Sequence, residues 1–212
     1  MRPALAGLML LAVVACGDGR HTEPTNDPNA SSQPMPLPRG GAELIGHSLA
    51  ELKFDAWIGE PLPLAREHGA TLVRWWTDGC PFCEASLPAV DELRREFEGR
   101  GLVVIAAYHN KSAIALTPLE IEEGARARGY DGRIALDRDW HALDVAWPAK
   151  WRSATSVTLL LDAHGVVRFA HPGPEFHRST DAAHAECASD FADLERAVAL
   201  VLAEDACATA GR

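Results

Sequence analysis

The sequence lacks the basic excess that a nucleic-acid-binding face requires. Its 212 residues hold 20 Lys and Arg against 30 Asp and Glu, a formal net charge of −10. Phosphate backbones are bound by clustered cations, so a broad nucleic-acid footprint is excluded. A long apolar run is also missing. The longest, Ala4 to Ala15, falls short of the roughly 20 residues that span a bilayer. There is no internal repeat. Cysteine is scarce too: the five are Cys16, Cys80, Cys83, Cys187 and Cys207, and only one pair has the CxxC spacing. A structural zinc site built from two CxxC pairs is therefore absent. Hydrophobic residues make up 47% and charged residues 24%, so the chain can bury a core as one domain of ordinary size with appendages.

The amino terminus has the pattern of an export signal: Arg2, then a short apolar stretch, then Val13-Val14-Ala15-Cys16. That last tetrad resembles a bacterial lipobox. The resemblance implies cleavage after residue 15 and a diacylglycerol carried on Cys16, which with further acylation anchors a protein stably. A plain signal peptide cut near the same place is the alternative. Residues 16–39 carry Pro24, Pro28, Pro34, Pro36 and Pro38 and no apolar periodicity. They predict a disordered, flexible tether. Gly17 stands where Asp would mark inner-membrane retention in the enterobacterial pattern, which points to the outer membrane.

The folded part is expected over residues 40–212, where strand-like and helix-like pieces alternate as in an α/β protein. Thr71 to Trp76 reads as a β-branched, aromatic strand. Glu84 to Glu98 reads as a helix, with Leu87, Val90, Leu93 and Phe97 at helical spacing and a kink expected at Pro88. Leu102 to Tyr108 is wholly apolar up to its terminal tyrosine, as in a central parallel strand. Thr117-Pro118-Leu119-Glu120 is a helix-start signature. Ile134 to Asp137 is a short strand candidate. Val157 to Leu161 and Val166 to Ala170 flank a turn at Asp162-Ala163-His164-Gly165, a hairpin signal. Ser189-Asp190 is positioned to cap a last helix running to Leu202.

Chemistry concentrates at Cys80-Pro81-Phe82-Cys83. Two cysteines so spaced at a helix start can close a small disulfide. The helix amino terminus stabilises a thiolate on the first, Cys80, which then attacks. Cys83 resolves the mixed disulfide. Pro81 falls in the first turn, where its missing donor costs nothing. The site would lie at the carboxyl end of a strand, where open α/β sheets place their sites. The competing reading is a metal half-site.

The residues Trp75 to Cys83, the segment Asp55 to Leu62, Pro88, and the hairpin Leu159 to Val167 together resemble the TlpA/ResA group of exported thioredoxin-like proteins, in the AhpC/TSA–redoxin neighbourhood. The resemblance runs from about Leu44 to Leu202. It implies a thioredoxin-like fold, a central mixed sheet flanked by helices, and a thiol–disulfide oxidoreductase with redox-active Cys80 and Cys83. Three departures accompany it. The family's cis-proline falls at Ser156, after Thr155, where the cost of a non-proline cis bond predicts a trans peptide. That loss also raises the metal alternative. Ser86 stands where reductive members carry Glu. Arg74 stands where thioredoxins bury an acid: it either lowers a thiol pKa or extends its head to the surface.

Trp76, Pro81, Phe82, Thr155 and Ser156 are the expected site-lining residues. His109 ends the second strand and either faces the cysteines or is structural. Trp140, Trp147 and Trp151 are core residues or a substrate-facing lip. His171, His177, His184 and Cys187 form a His-rich stretch, either a polar loop or a copper or zinc site built from Cys80, Cys83, His184 and Cys187. A Cys187–Cys207 bond is not expected. A helix from Ser189 to Ala203 is roughly 20 Å long, whereas disulfide Cα atoms lie within about 7 Å. Cys187 is then a free thiol or a third redox partner.

The expected protein is lipid-anchored in a bacterial cell envelope and faces the periplasm. It exchanges disulfides with exported protein thiols and a membrane electron donor or acceptor, and it needs no cofactor. The resemblance alone favours the reductase direction. A metal-binding or metal-delivery module is the alternative, and a peroxidase is a weaker third reading.

Overall fold

The computed structural model describes residues 34–211. The signal segment, Cys16 and most of the expected tether lie outside them. The last tether residues, however, are packed. Pro36 is buried, Met35 rests on the core, and Arg39 pairs with Asp190 at 2.6 Å and with Glu186. Residues 35, 36 and 39 thus pack on the fold, Arg39 drawn in by those carboxylates. No helix among the described residues is long and apolar enough to cross a membrane.

The central strands are those with unbroken apolar runs. β2 (Ala70–Trp76) and β3 (Leu102–Tyr108) pair in parallel along their whole length, and β4 (Arg133–Leu136) adds in parallel to β3. The hairpin strands β5 (Thr158–Leu161) and β6 (Val167–His171) extend the sheet beyond β2, with β5 antiparallel to it. A three-residue strand, β1 (Ala56–Ile58), closes the other edge antiparallel to β4. The order is β1-β4-β3-β2-β5-β6, a mixed sheet as expected.

Side chains alternate across the strands and define two layers. Leu72, Trp76, Val104, Ala106 and Tyr108 face α1 (Pro81–Phe97), α2 (Pro118–Ala127) and α4 (Ala185–Ala210). Val73, Trp75, Ile105 and Ala107 face α3 (His141–Ala146) and the segment containing Leu44, Leu49 and Leu64. Arg74 shares the parity of Leu72 and Trp76. A cation is thus placed on the inner face of a central strand, beneath α1.

Helix starts follow local chemistry. Thr117 and Glu120 form the expected capping box on α2. α1 begins at Pro81, three residues earlier than its apolar periodicity suggested, because Cys80 itself caps it. The helix is continuous across Pro88. The last helix begins at Ala185, ahead of the expected Ser189. The capping is done by Asp181, whose carboxylate accepts from Ala183 N at 2.9 Å and opens a short 3-10 turn that runs into α4. Cys187 and Cys207 therefore sit on one helix. Twenty residues apart, they are separated by about 30 Å, and no bond joins them.

The entries to β2 and β3 touch at two glycines. Gly69 has φ 91°, and a Cβ there would lie 2.2 Å from the Gly101 carbonyl oxygen. Its N–H also donates to Asp205 of α4 at 2.8 Å. Gly69→Ala should therefore destabilise the fold by about 2 kcal/mol or more. Urea unfolding reads this directly, and a change below about 0.5 kcal/mol would contradict the close approach.

Candidate active site

The site forms where β2 ends and α1 begins. Thr77, Asp78 and Gly79 carry the chain from one to the other. Asp78 steadies this loop by accepting from Tyr108 Oη at 2.6 Å and Ser112 Oγ at 3.1 Å. Burial would raise the Asp78 carboxyl, but these hydrogen bonds hold it below its usual range. Sequence reasoning missed this anchor, because its partners come from β3 and the loop after it.

Cys80 occupies the N-cap. Its sulfur accepts from Cys83 N at 3.3 Å, in the way an Asp or Ser oxygen caps a helix. Its carbonyl accepts from Cys83 N and Glu84 N at 3.0 and 3.1 Å. Cys80 is half-buried and reachable, whereas Cys83 is fully buried among Trp76, Leu87 and Val90. The Cys83 thiol donates to Cys80 Sγ at 2.7 Å. The two sulfurs are thus adjacent, placed to join in a disulfide.

Ser156 faces both sulfurs. Its Oγ lies 3.0 Å from Cys83 Sγ and 3.7 Å from Cys80 Sγ. The Thr155–Ser156 peptide is trans; the only cis bond among the described residues is Gly173–Pro174. A hydroxyl thus stands where the family resemblance led one to look for a proline ring. Burial works to raise the Cys80 thiol, but hydrogen bonds from Cys83 and Ser156, with the charge of Arg74, bring it below the ordinary range. Burial prevails at Cys83 and pushes that thiol up against the pull of Arg74. The two shifts divide the labour. The reachable sulfur ionises first, and the hidden one keeps its proton until attack is under way.

Arg74 is fully buried, and its head does not reach the surface. Its guanidinium donates to the carbonyls of Ser156 and Pro174, each at 2.6 Å, to Thr158 Oγ1 at 3.2 Å and to Ser86 Oγ at 3.1 Å. It also lies 5.2 Å from the centre of the Phe176 ring. Among the described residues no carboxylate lies within ion-pair distance of it. Burial pulls its pKa down, and the two cysteines oppose that pull. The anions available to it are the site thiolates. Ser86 Oγ accepts from the guanidinium and donates its own hydrogen bond to Phe82 O at 2.7 Å.

The remaining sequence candidates are distributed around this centre. Trp76 is buried in the same core layer as Cys83 and packs edge-on to Tyr108. Pro81 and Phe82 are exposed on the first turn of α1, Phe82 at 46%. Both offer apolar surface beside Cys80. His109 is fully buried and faces Thr155 Oγ1 at 3.2 Å, not the cysteines. Burial, aided by nearby cations, pushes its pKa down to about 3, so the ring is neutral. Trp147 belongs to the core and Trp140 packs against it, while Trp151 is 42% exposed. His171 is buried, with Nε2 3.0 Å from Asp190 and Nδ1 accepting from Gly173 N. His177, His184 and Cys187 lie together with Glu175, a group that includes neither Cys80 nor Cys83.

No family model matches the chain. A protein named thiol-disulfide oxidoreductase ResA, from Halalkalibacterium halodurans, is 24% identical over 138 residues, covering 65% of this chain and 70% of that protein. Thiol-disulfide oxidoreductase YkuV of Bacillus subtilis is 29% identical over 144 residues, 66% and 84% of the two chains. Among solved structures, a thioredoxin-like protein in its oxidized form superposes with a TM-score of 0.57 and 25% identity, over 76% of this chain and 98% of that one. A six-stranded mixed sheet with a capped CxxC at the end of a central strand, together with these similarities, defines a thioredoxin-fold thiol–disulfide oxidoreductase. Within that class the chain is similar to the ResA and YkuV oxidoreductases.

The Ser156 hydroxyl is the contact most open to a clean deletion. Ser156→Ala should raise the Cys80 thiol pKa, because it removes a hydrogen bond that favours the thiolate. The pH midpoint of Cys80 alkylation by iodoacetamide measures it. An unchanged or lowered midpoint would show that the hydroxyl does not stabilise the thiolate.

Proposed function

We propose that this oxidoreductase is anchored to the bacterial envelope by lipid on Cys16, faces the periplasm, and reduces disulfides in exported proteins. The exchange chemistry rests on one observation above the others. A reachable Cys80 sulfur is capped onto a helix amino terminus, with the buried Cys83 thiol 2.7 Å behind it. The anchor rests on the apolar leader and the Val13-Val14-Ala15-Cys16 tetrad. The outer membrane is the proposed address, from Gly17.

The steps balance as two-electron exchange. Cys80 thiolate attacks one sulfur of a substrate disulfide; a mixed disulfide forms and the other substrate sulfur leaves as a thiolate. That thiolate takes up a proton. Cys83, on losing its own proton, attacks Cys80 Sγ and releases the second substrate sulfur. The substrate has gained two electrons, and Cys80–Cys83 is now a disulfide. A membrane-bound dithiol donor returns the pair to the reduced state. Among the described residues no carboxylate is hydrogen-bonded to Cys83; the Ser156 hydroxyl, 3.0 Å away, is the group in place to pass its proton to the departing sulfur.

The reductase direction follows the family resemblance. The buried cation works against the strength of that reductant, because any charge that favours the thiolate favours the reduced form. The pair is then a milder reductant than the same dithiol would be without Arg74.

Disulfide reduction by the purified protein, read with insulin or a small aromatic disulfide, tests the proposal. Cys80→Ser should abolish turnover. Cys83→Ser should stop turnover while accumulating a mixed disulfide visible by mass spectrometry. Turnover that survives Cys80→Ser would remove Cys80 from the nucleophile's role.

A further inference from the structure

The loop after β6 folds back on the first turns of α4 and gathers four potential ligands. Glu175, His177, His184 and Cys187 each offer one donor atom, and these atoms all lie within 4.8 Å of one another. The backbone holds the loop against the helix, since His177 N donates to Cys187 O at 3.3 Å. The His177 and His184 rings face each other with centroids 5.1 Å apart. Cys187 Sγ lies 3.4 Å from Glu175 Oε1.

The His177 ring is held by the backbone. Its Nδ1 is 3.0 Å from the Arg178 carbonyl oxygen. A carbonyl only accepts, so Nδ1 carries the proton and Nε2 is left with a lone pair. Metal-bound histidines are held in this way by a backbone acceptor on the far nitrogen. The donor set, one thiolate, two imidazoles and one carboxylate, matches a four-coordinate zinc site rather than a magnesium or calcium site built from oxygen alone. Bonds of about 2.0–2.3 Å to zinc put tetrahedral ligands roughly 3.5 Å apart. The four atoms would have to close by little more than 1 Å, within reach of side-chain rotation at this half-exposed surface.

We infer that Glu175, His177, His184 and Cys187 form a binding site for one zinc ion, separate from the Cys80–Cys83 pair. Binding deprotonates the Cys187 thiol, and that proton goes to solvent. The ion ties the loop after β6 to α4. Its position has a consequence for the redox centre: Glu175 stands between Pro174, whose carbonyl accepts from Arg74, and Phe176, whose ring packs on the same guanidinium. The inference does not depend on the exchange reaction, and it stands or falls separately from the role of Cys80.

Cobalt(II) titration of the reduced full-length chain tests the site, with Cys80 and Cys83 both changed to Ser so that their thiols cannot contribute. The expected result is one equivalent bound, with a thiolate-to-cobalt charge-transfer band that zinc(II) abolishes by displacement. Cys187→Ser in that background should remove the band. His184→Ala, at an exposed position, should weaken binding by at least about tenfold. Wild-type protein with Cys80–Cys83 held as a disulfide should give the same one-equivalent titration, which guards against a folding defect in the double variant. Absence of the band in both proteins, or a band that survives Cys187→Ser, would overturn the inference.

Discussion

The site depends on a buried guanidinium that no carboxylate among the described residues pairs. Arg74 projects from a central strand into the layer between the sheet and α1, where its neighbours on the strand are Leu72 and Trp76. Taking such a charge out of water costs roughly several kcal/mol. Two backbone carbonyls at 2.6 Å and two hydroxyls offset that cost, since hydrogen bonds to charged groups contribute about 1.5–3 kcal/mol each. The carbonyls belong to Ser156, in the loop before β5, and Pro174, in the loop after β6. The same interaction thus fixes the loop that presents the Ser156 hydroxyl and the loop that carries Phe176. It also sets a positive charge behind the dithiol.

This arrangement replaces a proton acceptor with an electrostatic stabiliser. An acid at the position of Arg74 could take the proton of the resolving thiol; a guanidinium cannot. It stabilises the thiolate that forms. Cys80 is helped further by the helix amino terminus, whereas Cys83 is hindered by full burial. The asymmetry between nucleophile and resolving thiol therefore arises from exposure and capping, with Arg74 acting on both sulfurs at once. Stabilising the thiolate form makes the dithiol a weaker electron donor, so charge and family resemblance pull the chemistry in opposite senses.

Much of this was legible in the sequence because it is local. The aromatic strand leading into Cys-Pro-Phe-Cys, the wholly apolar β3, the Thr117–Glu120 capping box and the Asp162 to Gly165 turn each write their structure into adjacent residues. The trans peptide before Ser156 followed from the cost of its alternative. What escaped notice was long-range. Arg74 could be seen as misplaced, but its acceptors lie at residues 86, 156, 158 and 174 and meet only in the fold. Glu175 carried no signal that it would join His177, His184 and Cys187. The start of α4 was misplaced because Asp181, which caps the turn ahead of it, lies in a polar stretch without apolar periodicity. β1, three residues long, is too short to show alternation.

The Arg74 charge, and not its packing, sets the balance of the Cys80–Cys83 couple. The direct measurement is the reduction potential of that couple at neutral pH in wild type, Arg74→Gln and Arg74→Lys. Wild type and the lysine variant should share a less negative potential than the glutamine variant, by about 30 mV for each tenfold of thiolate stabilisation. A glutamine variant whose potential equals that of wild type, or is less negative, would contradict the claim.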